Sequence, residues 1–313
     1  MSGLVSDAGA RAHDAREGEG KRALITGLHG FTGHYVAREL AAAGYRVFGT
    51  VLSGDATGPD IFNVDLLDRA ALASVVEQVR PDVVVHLAAI AFVAHDDVDQ
   101  MYRANVVGTR NLLDALAAGG HTPSCVLLAS SANIYGNADV GVIDEHVAPM
   151  PANDYAVSKL AMETMARLWM DKLPIVIARP FNYTGVGQGE NFLLPKIVSH
   201  FRKGARRIEL GNLAIARDFS DVRMVAGVYR RLLAAAPVGE AFNVCSGRSY
   251  SLESTIDMMS DIAGYRIDVH VNPAFVRAND VLTLVGSNAK LAGAIGAFEP
   301  IPLVETLRWM YQA

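Results

Sequence analysis

Between residues 21 and 180 the apolar positions follow two alternating rhythms. Short, nearly continuous Val/Ile/Leu runs at 21–26, 45–51, 83–87, 124–130 and 175–178 read as strands. The stretches 31–43, 67–79, 98–118 and 154–171 space their apolar residues three and four apart, the period of an amphipathic helix, and Gly44 stops the first of them. Strands that are apolar at nearly every position are buried on both faces, so the alternation predicts an α/β fold with a doubly wound parallel sheet covered by helices on both sides. After residue 180 the texture changes to a Gly-rich stretch, Thr184-Gly185-Val186-Gly187-Gln188-Gly189, followed by short helices and isolated strands. Residues 181–313 are therefore expected to form mainly a smaller C-terminal lobe. The run 240–246 again reads as a strand, so the chain is expected to re-enter the sheet and leave the lobe discontinuous.

Composition narrows the class without naming a function. A chain of 313 residues, 51% hydrophobic and 19% charged, can bury a large core. Its formal net charge of -5 gives no basic footprint, which argues against nucleic acid while leaving a small anionic ligand open. Cys125 and Cys245 each sit in an apolar run, as buried strand residues rather than a disulfide framework or a metal site, and no metal is expected. A reducing cytoplasm fits that usage. The first twenty residues are rich in Gly, Ala, Asp, Glu and Arg and lack the apolar core of a secretory signal, so 1–20 is expected to be a disordered tail outside the fold. The most apolar stretch, 83–94, is broken by His86 and too short for a membrane span, so no membrane is expected as a partner.

Two motifs carry chemistry. Gly27-Leu28-His29-Gly30-Phe31-Thr32-Gly33 follows a strand and opens a helix. Glycines permit a tight turn and close approach of backbone to a pyrophosphate, and the helix start offers N–H groups and partial positive charge. In that context Gly27, Gly30, Phe31, Thr32 and Gly33 are assigned to a dinucleotide, making the sheet a Rossmann-type NAD(P)-binding domain over 21–180. His29 within the turn reads as a solvated side chain. The end of the second strand, Thr50-Val51-Leu52-Ser53, carries no charge and Asp55 comes late. The absence of a basic partner for a 2′-phosphate favours NAD and leaves NADP open. Further on, Tyr155 and Lys159 stand four apart in Asp154-Tyr155-Ala156-Val157-Ser158-Lys159, which puts them on one helix face. An ammonium beside a phenol stabilises its anion and lets the tyrosine exchange protons near neutrality. For the pair by itself, a chance Tyr/Lys pairing on a solvated helix face is the better reading, and the glycine turn and the serine upstream change that balance.

Taken with His86-Leu87-Ala88-Ala89 and Ser130-Ser131-Ala132-Asn133-Ile134-Tyr135-Gly136, these motifs resemble the extended short-chain dehydrogenase/reductases acting on nucleotide sugars. Arg179-Pro180-Phe181-Asn182-Tyr183-Thr184-Gly185 and Arg217-Asp218-Phe219-Ser220-Asp221-Val222 resemble most the branch holding GDP-mannose 4,6-dehydratase and GDP-4-keto-6-deoxymannose reductase. The resemblance implies that Ser131 hydrogen-bonds the sugar oxygen whose carbon exchanges hydride. It makes Tyr155 the acid/base, while Lys159 holds the nicotinamide ribose and lowers the pKa of Tyr155. It assigns Asp65, Leu66, Leu87, Ala88, Ala89 and Pro180 to the cofactor, although Asp65 could equally cap the helix that follows. On the substrate side it assigns Asn133, Asn182, Arg217 and Arg277, with Asn191, Leu194 and Pro195 at the base-binding end. Pro195 has an alternative as a helix-starting residue, and Arg217 has one as an ion-pair partner of Asp218 or Asp221. The partner implied is a nucleotide-diphosphate sugar, and the helices 98–118 and 154–171 imply a homodimer.

Departures from that branch narrow the reaction. Its dehydratases place an acid after the catalytic hydroxyl, where this chain has Ala132 and Asn133, and an amide has no exchangeable proton of useful pKa. Water elimination is therefore not expected. Ile90-Ala91-Phe92-Val93 would form an apolar wall against a sugar already lacking its C6 hydroxyl. Two mechanisms share the remaining residues. The first expectation is an NAD-dependent C4 epimerase of a nucleotide-linked 6-deoxyhexose, for example dTDP-L-rhamnose to dTDP-6-deoxy-L-talose through a 4-keto sugar. The alternative is an NAD(P)H-dependent 4-keto-6-deoxyhexose reductase, and a non-catalytic dinucleotide-binding protein comes last.

Overall fold

A computed structural model describes residues 17–52, 58–91, 97–138, 140–213, 215–273 and 283–313. The alternation read from the sequence is realised as β1 (Arg22–Thr26), α1 (Phe31–Ala42), β2 (Arg46–Val51), β3 (Ile61–Asn63), α2 (Arg69–Val79), β4 (Val83–His86), α3 (Val98–Tyr102), α4 (Thr109–Ala118), β5 (Cys125–Ala129), α5 (Asp154–Ala166) and β6 (Ile175–Pro180). There follow β7 (Asn182–Thr184), α6 (Leu193–Arg202), β8 (Arg207–Leu210), β9 (Ala216–Asp221), α7 (Val222–Ala235), β10 (Ala241–Val244), β11 (Ser249–Ser251), α8 (Leu252–Ala263), β12 (Asp268–Val271), β13 (Thr283–Leu284), α9 (Ala289–Ile295) and α10 (Leu303–Gln312). Seven strands make the parallel central sheet, in the order β10-β6-β5-β4-β1-β2-β3. The order reverses beside β1, the place where such sheets bind ligands beyond the carboxyl ends of their strands. Ala23 to Ile25, Val83 to Val85 and Cys125 to Leu128 are between 0 and 2% exposed, so the central strands are covered on both faces.

The chain forms two compact units, neither of them continuous in sequence. One comprises the described residues up to Ala129 with Ala161–Ile177 and Tyr229–Glu240; the other comprises Ser130–Leu160, Ala178–Val228 and Ala241–Ala313. A boundary at residue 180 was expected, but Ser130–Leu160 groups with the C-terminal residues. The second unit is built around Leu194, Ile197 and Phe201 of α6, Ile256 and Met259 of α8, and Leu307 and Met310 of α10. It also holds a small sheet in which β9 lies between β11 and β13, with β7 also pairing β9, and a two-stranded sheet of β8 and β12.

Four local expectations are revised. Glu17 to Gly20 were assigned to a tail, yet Gly18 donates its N–H to Ala43 O at 2.9 Å, and Glu17 pairs with Arg230 and accepts from the Tyr45 hydroxyl. The reason is electrostatic: Arg230 is only 12% exposed and is held by both Glu17 and Glu39. Residues 1–16 of that tail lie outside the described residues. The helix expected over 98–118 contains a π-helical turn, Arg103–Gly108, between α3 and α4. Here the Asn105 amide binds the Ile90 backbone in both directions, donating to its C=O at 3.1 Å and accepting from its N–H at 2.9 Å. The helix from 154 gives way after Ala166 to a 3₁₀ turn, Arg167–Trp169. The short edge strand β3 was not foreseen, because three residues carry too little pattern to register.

Candidate active site

The glycine turn lies where β1 ends. Gly27 adopts φ +74°, and the N–H groups of Gly27 and Leu28 donate to Thr50 O at 3.0 and 3.1 Å, laying the turn across the end of β2. A Cβ on Gly27 would stand 2.9 Å from both Cα and N of Ala88, and one on Gly33 would stand 2.4 Å from the carbonyl oxygens of Gly27 and Leu28. Both positions therefore exclude any side chain. No side chain caps the first turn of α1 and no acid lies in it, so the positive end of the helix is kept for an anion. This cradle fits the pyrophosphate of a dinucleotide.

Beyond the turn, Leu87, Ala88 and Ala89 are half-buried and held by a chain of hydrogen bonds. The Ala88 N–H donates to Thr26 Oγ1 at 3.2 Å, and Thr26 Oγ1 lies 2.7 Å from His86 Nδ1. On the other side His86 Nε2 lies 2.8 Å from Thr109 Oγ1, whose own proton goes to Asn105 O at 2.7 Å. Because Thr109 is the donor to that carbonyl, it accepts from His86, which puts the ring proton on Nε2 and leaves Nδ1 to accept from Thr26. His86, Thr26, Thr109 and Asn105 are all buried, so the chain is shielded from water. Leu66 packs against Gly108, and its C=O accepts from the Asn111 amide at 3.0 Å. Asp65 is exposed and accepts from the Leu67 N–H at 2.9 Å, whereas Asp68 caps α2 through the N–H groups of Ala70 and Ala71. The capping alternative for Asp65 is thereby corrected, because the helix begins three residues later.

The second unit supplies the hydroxyl chemistry. Ser131 follows β5, Tyr155 and Lys159 lie one turn apart on α5, and all three are buried. The Ser131 and Tyr155 hydroxyls share a hydrogen bond, and Ser131 Oγ also accepts from the Asn133 N–H at 3.1 Å. Burial pushes the Tyr155 phenol above its ordinary range, the bond with Ser131 opposes it, and Tyr183 on β7 adds to the rise. Removal from water outweighs the hydrogen bond with Ser131, so the net direction is upward. Tyr183 was not among the sequence candidates, and its place in the Arg179–Gly185 motif was the available signal. The adjoining Ser130 hydroxyl is buried with no hydrogen-bond partner, a group that a bound ligand would satisfy. The turn bearing Asn133, Ala132–Tyr135, is anchored by Tyr135, which accepts from Arg179 at 2.9 Å and donates to Asn243 Oδ1 at 2.8 Å.

The remaining candidates separate. Asn182 on β7 and Arg217 on β9 occupy paired neighbouring strands, with Asn182 opposite Phe219, so strand alternation puts Asn182 and Arg217 on one face. Arg217 donates to Ala216 O at 2.9 Å. Asn191 is exposed, and Pro180 is buried at the end of β6. Leu194 and Pro195 are buried on α6, Leu194 within the core of the second unit. Arg277, Ser53 and Asp55 lie outside the described residues, as do Phe92 and Val93 of the expected apolar wall. Among the described residues no group of His, Cys, Asp or Glu could hold a metal ion, and no helix is long and apolar enough to cross a membrane.

Comparison with known proteins places this geometry in context. The model of the family described as GDP-mannose 4,6 dehydratase matches residues 24–300. The chain is 34% identical to a GDP-6-deoxy-D-talose 4-dehydrogenase of Aggregatibacter actinomycetemcomitans, over 87% of this chain and 90% of that one. It is also 34% identical to a GDP-6-deoxy-D-mannose reductase of Pseudomonas aeruginosa, over 92% and 95%. A crystal structure described as "a putative epimerase from Burkholderia cenocepacia J2315" is 56% identical with a TM-score of 0.89, covering 94% of this chain and 98% of that one. The structure of RMD from Pseudomonas aeruginosa complexed with NADPH is 32% identical with a TM-score of 0.81, covering 93% and 98%.

Proposed function

Since the chain belongs to the GDP-mannose 4,6-dehydratase family of extended short-chain dehydrogenase/reductases, NAD(P)-dependent enzymes of nucleotide sugars, we propose that it is a reductase of a nucleotide-linked 4-keto-6-deoxyhexose. The observation that carries this reading is the buried Tyr155 hydroxyl, hydrogen-bonded to Ser131 and one helical turn from Lys159, in a chain whose 34%-identical relatives are named as a reductase and a 4-dehydrogenase of GDP-6-deoxyhexoses. Reduction and epimerisation both use a phenol that exchanges a proton with the C4 oxygen, so the site residues serve either reaction and the named activities of the relatives favour net redox. Both 34%-identical relatives are named as oxidoreductases of a GDP-6-deoxyhexose, one a 4-dehydrogenase and one a reductase, which supports net redox chemistry, and the match covers 95% of the reductase's own length. Ala132 and Asn133 offer no acid for water elimination, so the chemistry is redox alone.

When bound, a reduced nicotinamide would supply hydride for conversion of the C4 carbonyl into a carbinol. Tyr155 gives its proton to the C4 oxygen. Ser131, having accepted from Asn133, keeps its own proton to hold that oxygen in place. Lys159, one turn along α5, holds the ribose and stabilises the phenolate left behind. Asn182 and Arg217, with Arg277, would hold the diphosphate, for which a guanidinium fork is suited. The glycine turn would hold the dinucleotide pyrophosphate.

A second reading, C4 epimerisation such as dTDP-L-rhamnose to dTDP-6-deoxy-L-talose with retained NAD, is supported by the name of the 56%-identical structure. One comparison separates the two. Incubation with GDP-4-keto-6-deoxymannose and NADPH or NADH is expected to consume one reduced nicotinamide per sugar reduced. Inversion at C4 of dTDP-L-rhamnose without net cofactor consumption, followed by NMR, would replace reduction with epimerisation.

A further inference from the structure

Asp218 is fully buried, one residue from Arg217, and the mechanism above makes no use of it. Its Oδ1 accepts from the N–H and hydroxyl of Ser246 at 2.8 and 2.7 Å, and its Oδ2 from the N–H of Gly247 at 2.8 Å and, more weakly, of Gly286 at 3.4 Å. These donors come from the segment leading into β11 and from the residues just after β13. The backbone position is equally specific. Along one edge β9 pairs with β13 through Ala216 and Arg217 and with β7 from Phe219 onward, so Asp218 is the single residue at the changeover. Along the other edge β11 pairs with Asp218 and Arg217. Strand alternation points Arg217 away from the face on which the carboxylate is tied.

We propose that Asp218 is a positioning residue for diphosphate binding: its carboxylate fixes β11 and β13 against β9 and so holds Arg217 at the angle needed to meet a nucleoside diphosphate. The inference rests on the assignment of Arg217 to the diphosphate. A neutral isostere would bring N–H against the N–H groups of Ser246 or Gly247, so one side of the tie must open. Burial raises the Asp218 carboxyl while its hydrogen bonds pull it back, which fits a carboxylate kept for the donors around it.

The test uses the full chain with GDP or dTDP alone as probes, measured by calorimetry, and NADPH or NADH as internal controls. Asp218→Asn is expected to weaken binding of the preferred nucleoside diphosphate ~10-fold to 100-fold, as for loss of hydrogen bonds to a charged group, with nicotinamide dinucleotide binding within about twofold of the parent. In the Arg217→Ala background the same substitution should add less than about a twofold loss, because it acts through that arginine. Ser246→Ala, which removes only the hydroxyl donor, should give a smaller loss of the same kind and stands in if Asp218→Asn fails to fold. Additive losses in the Asp218/Arg217 cycle, unchanged diphosphate affinity in Ser246→Ala, or parallel loss of dinucleotide binding would each overturn the proposal. Failure of the parent protein to bind either nucleoside diphosphate would instead remove the substrate reading, and this inference with it.

Discussion

Replacing His86 with leucine tests whether the buried hydrogen-bond chain under the cofactor loop is what shapes it. The substitution keeps an apolar body of similar size and removes both ring nitrogens. Thr26 loses the acceptor for its hydroxyl at 2.7 Å, and Thr109 loses an incoming donor at 2.8 Å. Neither is more than 1% exposed, so water cannot replace the lost partner. Each orphaned buried group costs about 1–3 kcal/mol. Thr109 still donates to Asn105 O, so most of the penalty falls on Thr26, and the total should lie near the low end, about 2–3 kcal/mol. Reorientation of the Thr26 hydroxyl would also disturb its acceptance of the Ala88 N–H, weakening NAD(P)H binding ~10-fold by the equivalent of one such bond. Urea unfolding followed by circular dichroism gives the first quantity and nucleotide fluorescence titration the second. Thr26→Val should cost a similar amount, and the double variant should cost clearly less than the sum. Additive losses, or a His86→Leu protein within about 0.5 kcal/mol of the parent, would refute the chain as a coupled unit.

Other outcomes follow from the same geometry. Gly33→Ala forces a Cβ to within 2.4 Å of two carbonyl oxygens, so the turn must open; calorimetry should record at least a ~10-fold loss of NAD(P)H affinity with a stability loss of about 1–3 kcal/mol. Tyr155→Phe should lower carbonyl reduction by ~10²–10⁴-fold while NAD(P)H binding is retained, as read by steady-state and binding assays. The phenol is raised in the folded state, so the native protein holds its proton where the unfolded chain has released it. The associated stability is therefore complete below the ordinary phenol range and is lost as pH rises from there through the raised folded value, and alkaline unfolding should be less steep in Tyr155→Phe than in the parent. Arg230→Ala should destabilise by about 1–3 kcal/mol in urea, because two carboxylates lose their shared, largely buried partner.

The sequence made the sheet readable because β1, β4, β5 and β6 are covered on both faces, which leaves runs with few polar interruptions. Gly27 and Gly33 were readable because their spacing is dictated by backbone contacts that no other residue permits. Ser131 and Tyr155 share a hydrogen bond, but the direction of the Tyr155 shift depends on how much water is excluded, which no helix spacing encodes. Asp218 and its donors lie 28 or more residues apart, and Thr26 and His86 lie 60 apart, so neither tie leaves a local pattern. Leu194 shows what a motif leaves out: it gives the address of a residue without the rotation of its helix, and the structure buries this one in the core of the second unit. Asp65 and Asp68 differ by a single turn of chain, a distance finer than patterning resolves.

Burial pushes the Cys125 thiol up to about 12 and raises Cys245 as well. A sulfur that stays protonated and enclosed is inert to alkylating reagents while the surrounding structure is intact. The two lie in different compact units, one apiece, so each sulfur keeps time for its own half of the molecule. Without any engineered label, the rates at which they become modified compare how often each half breathes open.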